Sequence, residues 1–419
     1  MSTDAPGGPR RPALARCAAV DPATFGTDHW GRSPLLSRAA DLAGPSGFTD
    51  LLSPRDADEL LSRRGLRTPF LRVADQGQVL PASRFTGGGG AGAEIGDQVL
   101  DERVLELYAA GATLVLQGLH RNWPALIDFA GDLGRDLGQP LQVNAYLTPA
   151  GNQGFATHYD THDVFVLQVD GDKRWRVHEP VLPDPLERQP WGGRADEVSA
   201  VADGPPALDV VLSPGDALYL PRGWLHSAEA LGRSLHLTVG VRALTRYALV
   251  EELLALAADD QRLRATLPFG VDVAAADQIA AELAGTVDAL RDWLTRVDPA
   301  AVADRLRRRA WAGARPAPIR PLAQAAAIDQ LGVDSRITVR DGLRWELVGP
   351  GPGQVLLRLF DREITFPAVC GPALRAVLTG AAHRVGDLPG LDDDEDRLVL
   401  TRRLLREAVV VPADHGSAR

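Results

Sequence analysis

Apolar and polar residues alternate with different periods in different parts of this chain, and the changes of period outline its organisation. From Phe48 the spacing of apolar positions predicts helices over DADELLSRRGL, VLDERVLELYAAG and WPALIDFAGDLGRDLG. Strands are predicted over TPFLRVA and ATLVLQGL. Between Leu141 and Val241 the pattern becomes a series of short strands: LQVNAYL, FATHYD, VFVLQV, KRWRVH, LDVVL, ALYLP and SLHLTVGV. Asp170-Gly171 predicts a hairpin between two of them, and Ser213-Pro214-Gly215-Asp216 a second tight connection. Many short strands in succession imply a sandwich or barrel, here of jelly-roll type.

Beyond Leu244 the period returns to that of helices, in RYALVEELLALAADDQRLRATL, ADQIAAELAGTVDALRDWLTRV and PAAVADRLRRRAW. RPAPIRP punctuates the chain as a linker, and the remainder mixes strands (SRITVRDG, LRWELVG, QVLLRLF, EITFP) with two helices. The expected division is a flexible N-terminal segment over residues 1–45, a catalytic domain over 46–244, a helical domain over 245–318 and a winged-helix-like domain over 325–412. FTGGGGAGAEIGD is read as a flexible connection, because no Gly-Lys-Ser/Thr follows it and it does not join a strand to a helix.

Composition narrows the function classes. The chain has 419 residues, 45% hydrophobic and 24% charged, as expected of a globular protein with more than one domain. No apolar run reaches the roughly 18 residues of a membrane span, and the Pro/Gly/Arg-rich opening does not read as a secretory signal. Cys17 and Cys370 are far apart and in no ligand spacing, so a disulfide framework is excluded and a reducing cytoplasm is expected. A net charge of −10 argues against direct nucleic-acid binding, which needs a basic face. The arginines of TRRLLRE and DRLRRRAW are read as solvated surface. Among 45 basic residues Lys173 is the single lysine, which draws attention to it.

The candidate chemistry lies in THYDTHD. On a strand, residues i and i+2 share a face about 6.5–7 Å apart, so His158 and Asp160 can present an imidazole and a carboxylate to one point. PGDALYLPRGWLH supplies a third donor, His226, from a strand distant in sequence. Two histidines and one carboxylate on one face of a metal leave three positions open, the arrangement of non-haem Fe(II) oxygenases. A lone His-x-Asp is usually structural; strand, turn and second histidine in this order are far more specific. His162 has the parity of Asp160 and could compete, although its position just before VFVLQV suggests a turn. His178 and His236 read as barrel residues.

Lys173 shares a strand face with Trp175 and Val177. If that face is inward, the ammonium is buried and needs an anion, which a dicarboxylate cosubstrate supplies; otherwise it is a surface lysine. The segment Leu182–Pro206 reads equally as a substrate-facing loop or as a plain barrel connection.

Together, QGFATHYDTHDVFVLQVDGDKRWRVHEP, PGDALYLPRGWLHSAEA and SLHLTVGV resemble the JmjC/cupin-like ribosomal oxygenases, which are Fe(II)- and 2-oxoglutarate-dependent protein hydroxylases. The resemblance is strong from Gln142 to Val241 and looser over 46–412. It implies a double-stranded β-helix core, iron held by His158, Asp160 and His226, and Lys173 paired with the distal carboxylate of 2-oxoglutarate. It further implies a Tyr146 hydrogen bond to that carboxylate, with Asn144 lining the cosubstrate or substrate site. Some bacterial members carry arginine in place of Lys173, which keeps the role and loosens any inference about substrate. Dioxygen is the co-reactant: 2-oxoglutarate is decarboxylated to succinate and one oxygen atom hydroxylates an aliphatic C–H bond. The expected substrate is a protein or peptide, a ribosomal protein in particular, since acidic surface suits a basic partner. A homodimer built through the helical domain is also implied. The alternatives are a peptide natural product or small molecule as substrate, N-methyl-lysine demethylation by the same oxidant, and a non-catalytic cupin-type binding or regulatory protein.

Overall fold

The computed structural model describes residues 11–413 apart from Ser46, Gln76, Gln153, Gly154 and Pro352. Gln153-Gly154 of the central motif and the first ten residues of the expected flexible segment therefore lie outside the described residues. The chain divides into two compact units, residues 1–243 and 244–419.

The strands of the first unit are β1 (Leu35–Ser37), β2 (Leu71–Asp75), β3 (Gln78–Val79), β4 (Thr86–Gly87), β5 (Gln98–Val99), β6 (Thr113–Leu116) and β7 (Leu141–Thr148). They continue with β8 (Asp163–Asp170), β9 (Lys173–His178), β10 (Leu208–Leu212), β11 (Ala217–Leu220), β12 (Leu225–Ala230) and β13 (Ser234–Val241). A large sheet runs in the order β1-β11-β8-β13-β7-β6-β2-β3, antiparallel at every pairing, and a small one in the order β10-β9-β12.

Period-two alternation gives the large sheet two different faces. One buries Val143, Ala145, Phe165, Leu167, Leu235, Leu237 and Val239 in the main apolar core, shared with Leu126, Phe129 and Leu133 of the helix Pro124–Leu137. That helix starts with proline at its first position and ends at Gly138, whose φ of 68° lets the chain leave the helix. A second helix, Pro54–Arg63, is held at its start by reciprocal bonds between Ser53 and Asp56 and buries Ala57 and Leu60. The other face of the large sheet opposes the small sheet. Val164, Val166, Leu218 and Leu220 meet Trp175, Val177 and Leu212 there in a separate apolar cluster. The two opposed sheets form the barrel expected of a double-stranded β-helix core.

Three expectations need correction. The segment expected to be flexible is packed over its described part. Leu14, Cys17 and Phe25 are buried, Asp136 accepts from the backbone of Ala13 and Leu14 at 2.9 and 3.0 Å, and β1 pairs with β11. Its apolar residues come singly, each in its own short turn, so no periodicity advertises them. FATHYD is not a strand; its only ladder contact is an isolated bridge between His158 and His226. Asp170-Gly171 is not a hairpin either. It carries the chain from β8 in one sheet to β9 in the other, as Ser213–Asp216 does between β10 and β11. Gly171, at φ 66°, is required at that corner, because a Cβ would lie 1.9 Å from the carbonyl oxygen of Arg233.

In the second unit the helices Arg246–Ala257, Gln261–Arg264, Ala276–Leu294 and Pro299–Ala312 come first. The helix Ala276–Leu294 buries none of its residues and exposes Leu283, Val287 and Leu294. A mixed region follows, with the helices Pro321–Asp329, Gly371–Val377 and Asp394–Arg406. Beside them lie two three-stranded sheets, around a core that includes Ile337, Leu357, Leu374 and Leu404.

Candidate metal centre

His226 is the second residue of β12, and Pro221-Arg222-Gly223-Trp224 turns the chain into that strand. The backbone of His158 bonds reciprocally to His226, with His226 N donating to His158 O at 2.8 Å and the return bond at 3.2 Å. This bridge sets the two rings side by side, their centroids 4.5 Å apart. Asp160 follows two residues later, with Oδ2 3.8 Å from His226 Nε2. Ligand atoms of His158, Asp160 and His226 all lie within 4.8 Å of one another, close enough to share one ion.

Both histidines are oriented for that task. Nδ1 of His158 donates to the Ala156 carbonyl at 2.7 Å, and Nδ1 of His226 to the Trp224 carbonyl at 3.1 Å. With the proton on Nδ1, each Nε2 keeps its lone pair, the usual way a protein sets the tautomer of a metal ligand. Burial, reinforced by the neighbouring His158, pushes the His226 imidazole down to about 4, so it is neutral at physiological pH. Burial alone would raise the Asp160 carboxyl, but His226, His162, His158 and Arg72 outweigh it and hold the group below its ordinary range. Two lone-pair imidazoles and a carboxylate fit a first-row transition metal of the facial-triad type.

His162 does not join the three. Its ring rests over Gly240, where a Cβ would come within 2.7 Å of it, and its Nε2 faces the Gln142 amide at 3.4 Å.

The strand β9 buries Lys173, Trp175 and Val177 and leaves Arg174 and Arg176 on the outside. Lys173 is 3% exposed, and its ammonium donates to Thr148 Oγ1 at 3.2 Å, which in turn is 3.3 Å from Thr113 Oγ1. Burial pushes Lys173 down to about 7. Thr148 shares the inward face of β7 with Tyr146 and Asn144. Tyr146 stacks on His236 with centroids 5.0 Å apart, and Trp175 meets His236 edge-on at 5.5 Å. Burial raises the Tyr146 hydroxyl above its ordinary range. Asn144 Oδ1 accepts from the Gly118 amide at 3.1 Å, which fixes that side chain against the β6 end of the sheet.

Four residues around this centre lie outside the set that the sequence singles out. Trp191 stands 6.3 Å from the His158 ring, brought there by the Leu182–Pro206 segment, which folds into a short turn and the helix Ala195–Ala202. Tyr159 anchors that segment by donating to the Gln189 carbonyl at 2.9 Å. Phe155 packs edge-on to both Tyr146 and His158, at 6.4 and 6.1 Å. Arg72 reaches the same space from β2. Its signal was available as a charged residue between apolar Leu71 and Val73 on a strand, the alternation of an inward polar position.

Comparison with known proteins agrees with this construction. Residues 135–249 match the JmjC domain model. Ribosomal oxygenase 1 of Gallus gallus is 34% identical over 224 residues, 53% of this chain and 35% of that protein. The bifunctional lysine-specific demethylase and histidyl-hydroxylase NO66 of Drosophila persimilis is 31% identical over 258 residues, 59% of this chain and 35% of that protein. This chain thus spans about a third of the length of these curated relatives. Among solved structures, the ribosomal oxygenase YcfD of Escherichia coli, in complex with cobalt and 2-oxoglutarate, superposes with a TM-score of 0.51 at 19% identity. That match covers 94% of this chain and 99% of YcfD, and it is a likeness of fold. On the barrel, the three converging donors and the match over residues 135–249, the chain carries a JmjC domain and is a relative of the ribosomal oxygenases.

Proposed function

We propose that this protein is an Fe(II)- and 2-oxoglutarate-dependent dioxygenase that hydroxylates a side chain of another protein, with ribosomal proteins as the substrate class. The observation that carries the reading is the pairing of two features in one barrel. His158, Asp160 and His226 converge on one point, and the single lysine of the chain is buried on the inward face of the barrel with a threonine hydroxyl as its hydrogen-bond partner. A metal fits the first, and the far carboxylate of a dicarboxylic acid fits the second. The relatives named for ribosomal oxygenase and histidyl-hydroxylase activity support the same class.

Iron, 2-oxoglutarate and dioxygen together supply an oxidant able to replace an aliphatic C–H bond by C–OH, releasing succinate and carbon dioxide. The protein's part is to bind, orient and exclude water. The Ala156 and Trp224 carbonyls hold the imidazoles of His158 and His226 with Nε2 forward. Lys173 donates to the distal carboxylate of 2-oxoglutarate, with Thr148 and Tyr146 beside it and Asn144 one step along the same face. Trp175, Val177, Val166 and Leu218 pack together between the sheets, and this apolar surface keeps bulk water from that side of the centre.

The catalytic domain spans 46–244 together with the packed N-terminal segment. The helical segment 245–318 forms a homodimer, supported by the apolar residues exposed on the helix Ala276–Leu294. The region 325–412 is of winged-helix type, binds no nucleic acid directly, and the protein works in the cytoplasm. No helix among the described residues is long and apolar enough to cross a membrane.

Purified protein supplied with Fe(II), ascorbate and 2-oxoglutarate should release succinate, and His158→Ala should not. Proteins captured on the His158→Ala variant should then gain 16 Da when exposed to the active protein. Absence of succinate would leave a non-catalytic binder, and formaldehyde release in place of the 16 Da gain would indicate demethylation.

A further inference from the structure

Arg72 is a second cation of the barrel interior with no assigned work. Leu71 and Val73 on either side of it enter the main core, so the alternation of β2 turns Arg72 to the opposite, inward face. Register places it in one row with Val115, Tyr146 and His236 across four strands. Its guanidinium carbon stands 5.5 Å from the centre of the Phe155 ring, and that ring packs on His158. Its side chain also neighbours the Tyr146 hydroxyl, and its charge bears on Asp160. Nε of Arg72 is nonetheless buried without an acceptor, and no carboxylate among the described residues stands within ion-pair range of it.

On the function proposed above, the charges leave this cation over. The divalent metal and Asp160 sum to one positive charge, which the metal-bound carboxylate of 2-oxoglutarate cancels. The distal carboxylate is matched by Lys173. That count leaves Arg72 without a counter-charge of its own. A buried cation without a counter-charge is costly, so a ligand group that accepts from its guanidinium is rewarded, and a second cation brought beside it is repelled. We propose that Arg72 is a specificity-determining residue. Its guanidinium selects a target side chain that presents a hydrogen-bond acceptor (an amide, a carboxylate or a neutral imidazole) and turns away arginine and lysine. Two charges of opposite sign then act in sequence. The net charge of −10 draws a basic partner to the outside, while Arg72 decides which of that partner's residues enters.

The test uses the full-length chain labelled with nitrogen-15, loaded with Zn(II), with and without 2-oxoglutarate. The Arg72 Nε–H resonance is identified by its loss in Arg72→Lys and, independently, in Arg72→Gln. The probes are the N-acetyl N-methylamides of asparagine and of arginine. The asparagine probe is expected to shift the resonance at a concentration at least about ten-fold lower than the arginine probe. Equal response to the two probes, no response to either, or a shift already completed by 2-oxoglutarate alone overturns the proposal. Calorimetry of 2-oxoglutarate on the same sample keeps the two readings apart. A chain that binds no 2-oxoglutarate defeats the proposed function, and the comparison of the two probes decides the role of Arg72 in either case.

Discussion

The two faces of the large sheet are built by the same strands and do opposite work. On β7 and β13, Val143, Ala145, Leu235, Leu237 and Val239 fill an apolar core, while Asn144, Tyr146, Thr148, His236 and Thr238 look into the barrel. The outward residues have many interchangeable neighbours, so their contribution is burial. The inward residues have few partners and specific ones, such as the bond from Lys173 to Thr148 or the stacking of Tyr146 on His236. Where β7 and β13 give half of their residues to polar interior surface, stability has to come from the other half.

Substitutions on each face should therefore separate stability from chemistry. The largest effect is expected at the centre itself: His158→Ala should abolish succinate release and weaken metal binding by more than the ten- to hundred-fold typical of outer-shell partners, with urea unfolding little changed. Phe165→Ala, on the outward face, should do the reverse. It should cost about 3–5 kcal/mol in urea unfolding and leave metal affinity in the native state as it was. Lys173→Ala removes one partner of a buried charge pair and should raise the dissociation constant for 2-oxoglutarate at least about thirty-fold, read by calorimetry.

The smallest of the four effects sharpens the role of that lysine through pH. Burial lowers Lys173 from its ordinary 10.5 to about 7, and only the protonated form attracts a dianion. Affinity for 2-oxoglutarate should be fully present below pH 7 and fall by up to about ten-fold per unit above it. The slope should vanish in Lys173→Ala. A flat profile in the parent protein would remove Lys173 from the cosubstrate site.

Much of this is legible in the sequence. The succession of short strands, the pair His158 and Asp160, and the distant His226 all stand out as pattern and spacing. Asp170-Gly171 and Ser213–Asp216 are both recognisable as tight connections, but the hairpin that Asp170-Gly171 predicts is a crossing between sheets. A turn sequence reports local backbone geometry, and it is the same whether the next strand pairs with the last or crosses to an opposing sheet. The N-terminal segment departs from its expected flexibility for a related reason. Leu14, Cys17 and Phe25 gain their burial from partners more than a hundred residues away, such as Phe165 and Asp136, and contacts of that kind leave no periodic trace.

The sequence by itself determined which residue types were available: two imidazoles and a carboxylate at strand-like spacing, one lysine in the entire chain, and an alternation that sorts each strand into two faces. Those follow from covalent order and the period of an extended backbone. Tertiary structure alone decided that His162 turns aside over Gly240, that Lys173 is sealed from solvent against Thr148, and that Arg72 comes into one row with Tyr146. Each of these is an outcome of register between strands far apart in the chain, and register is set by packing across the barrel rather than by any local stretch of residues.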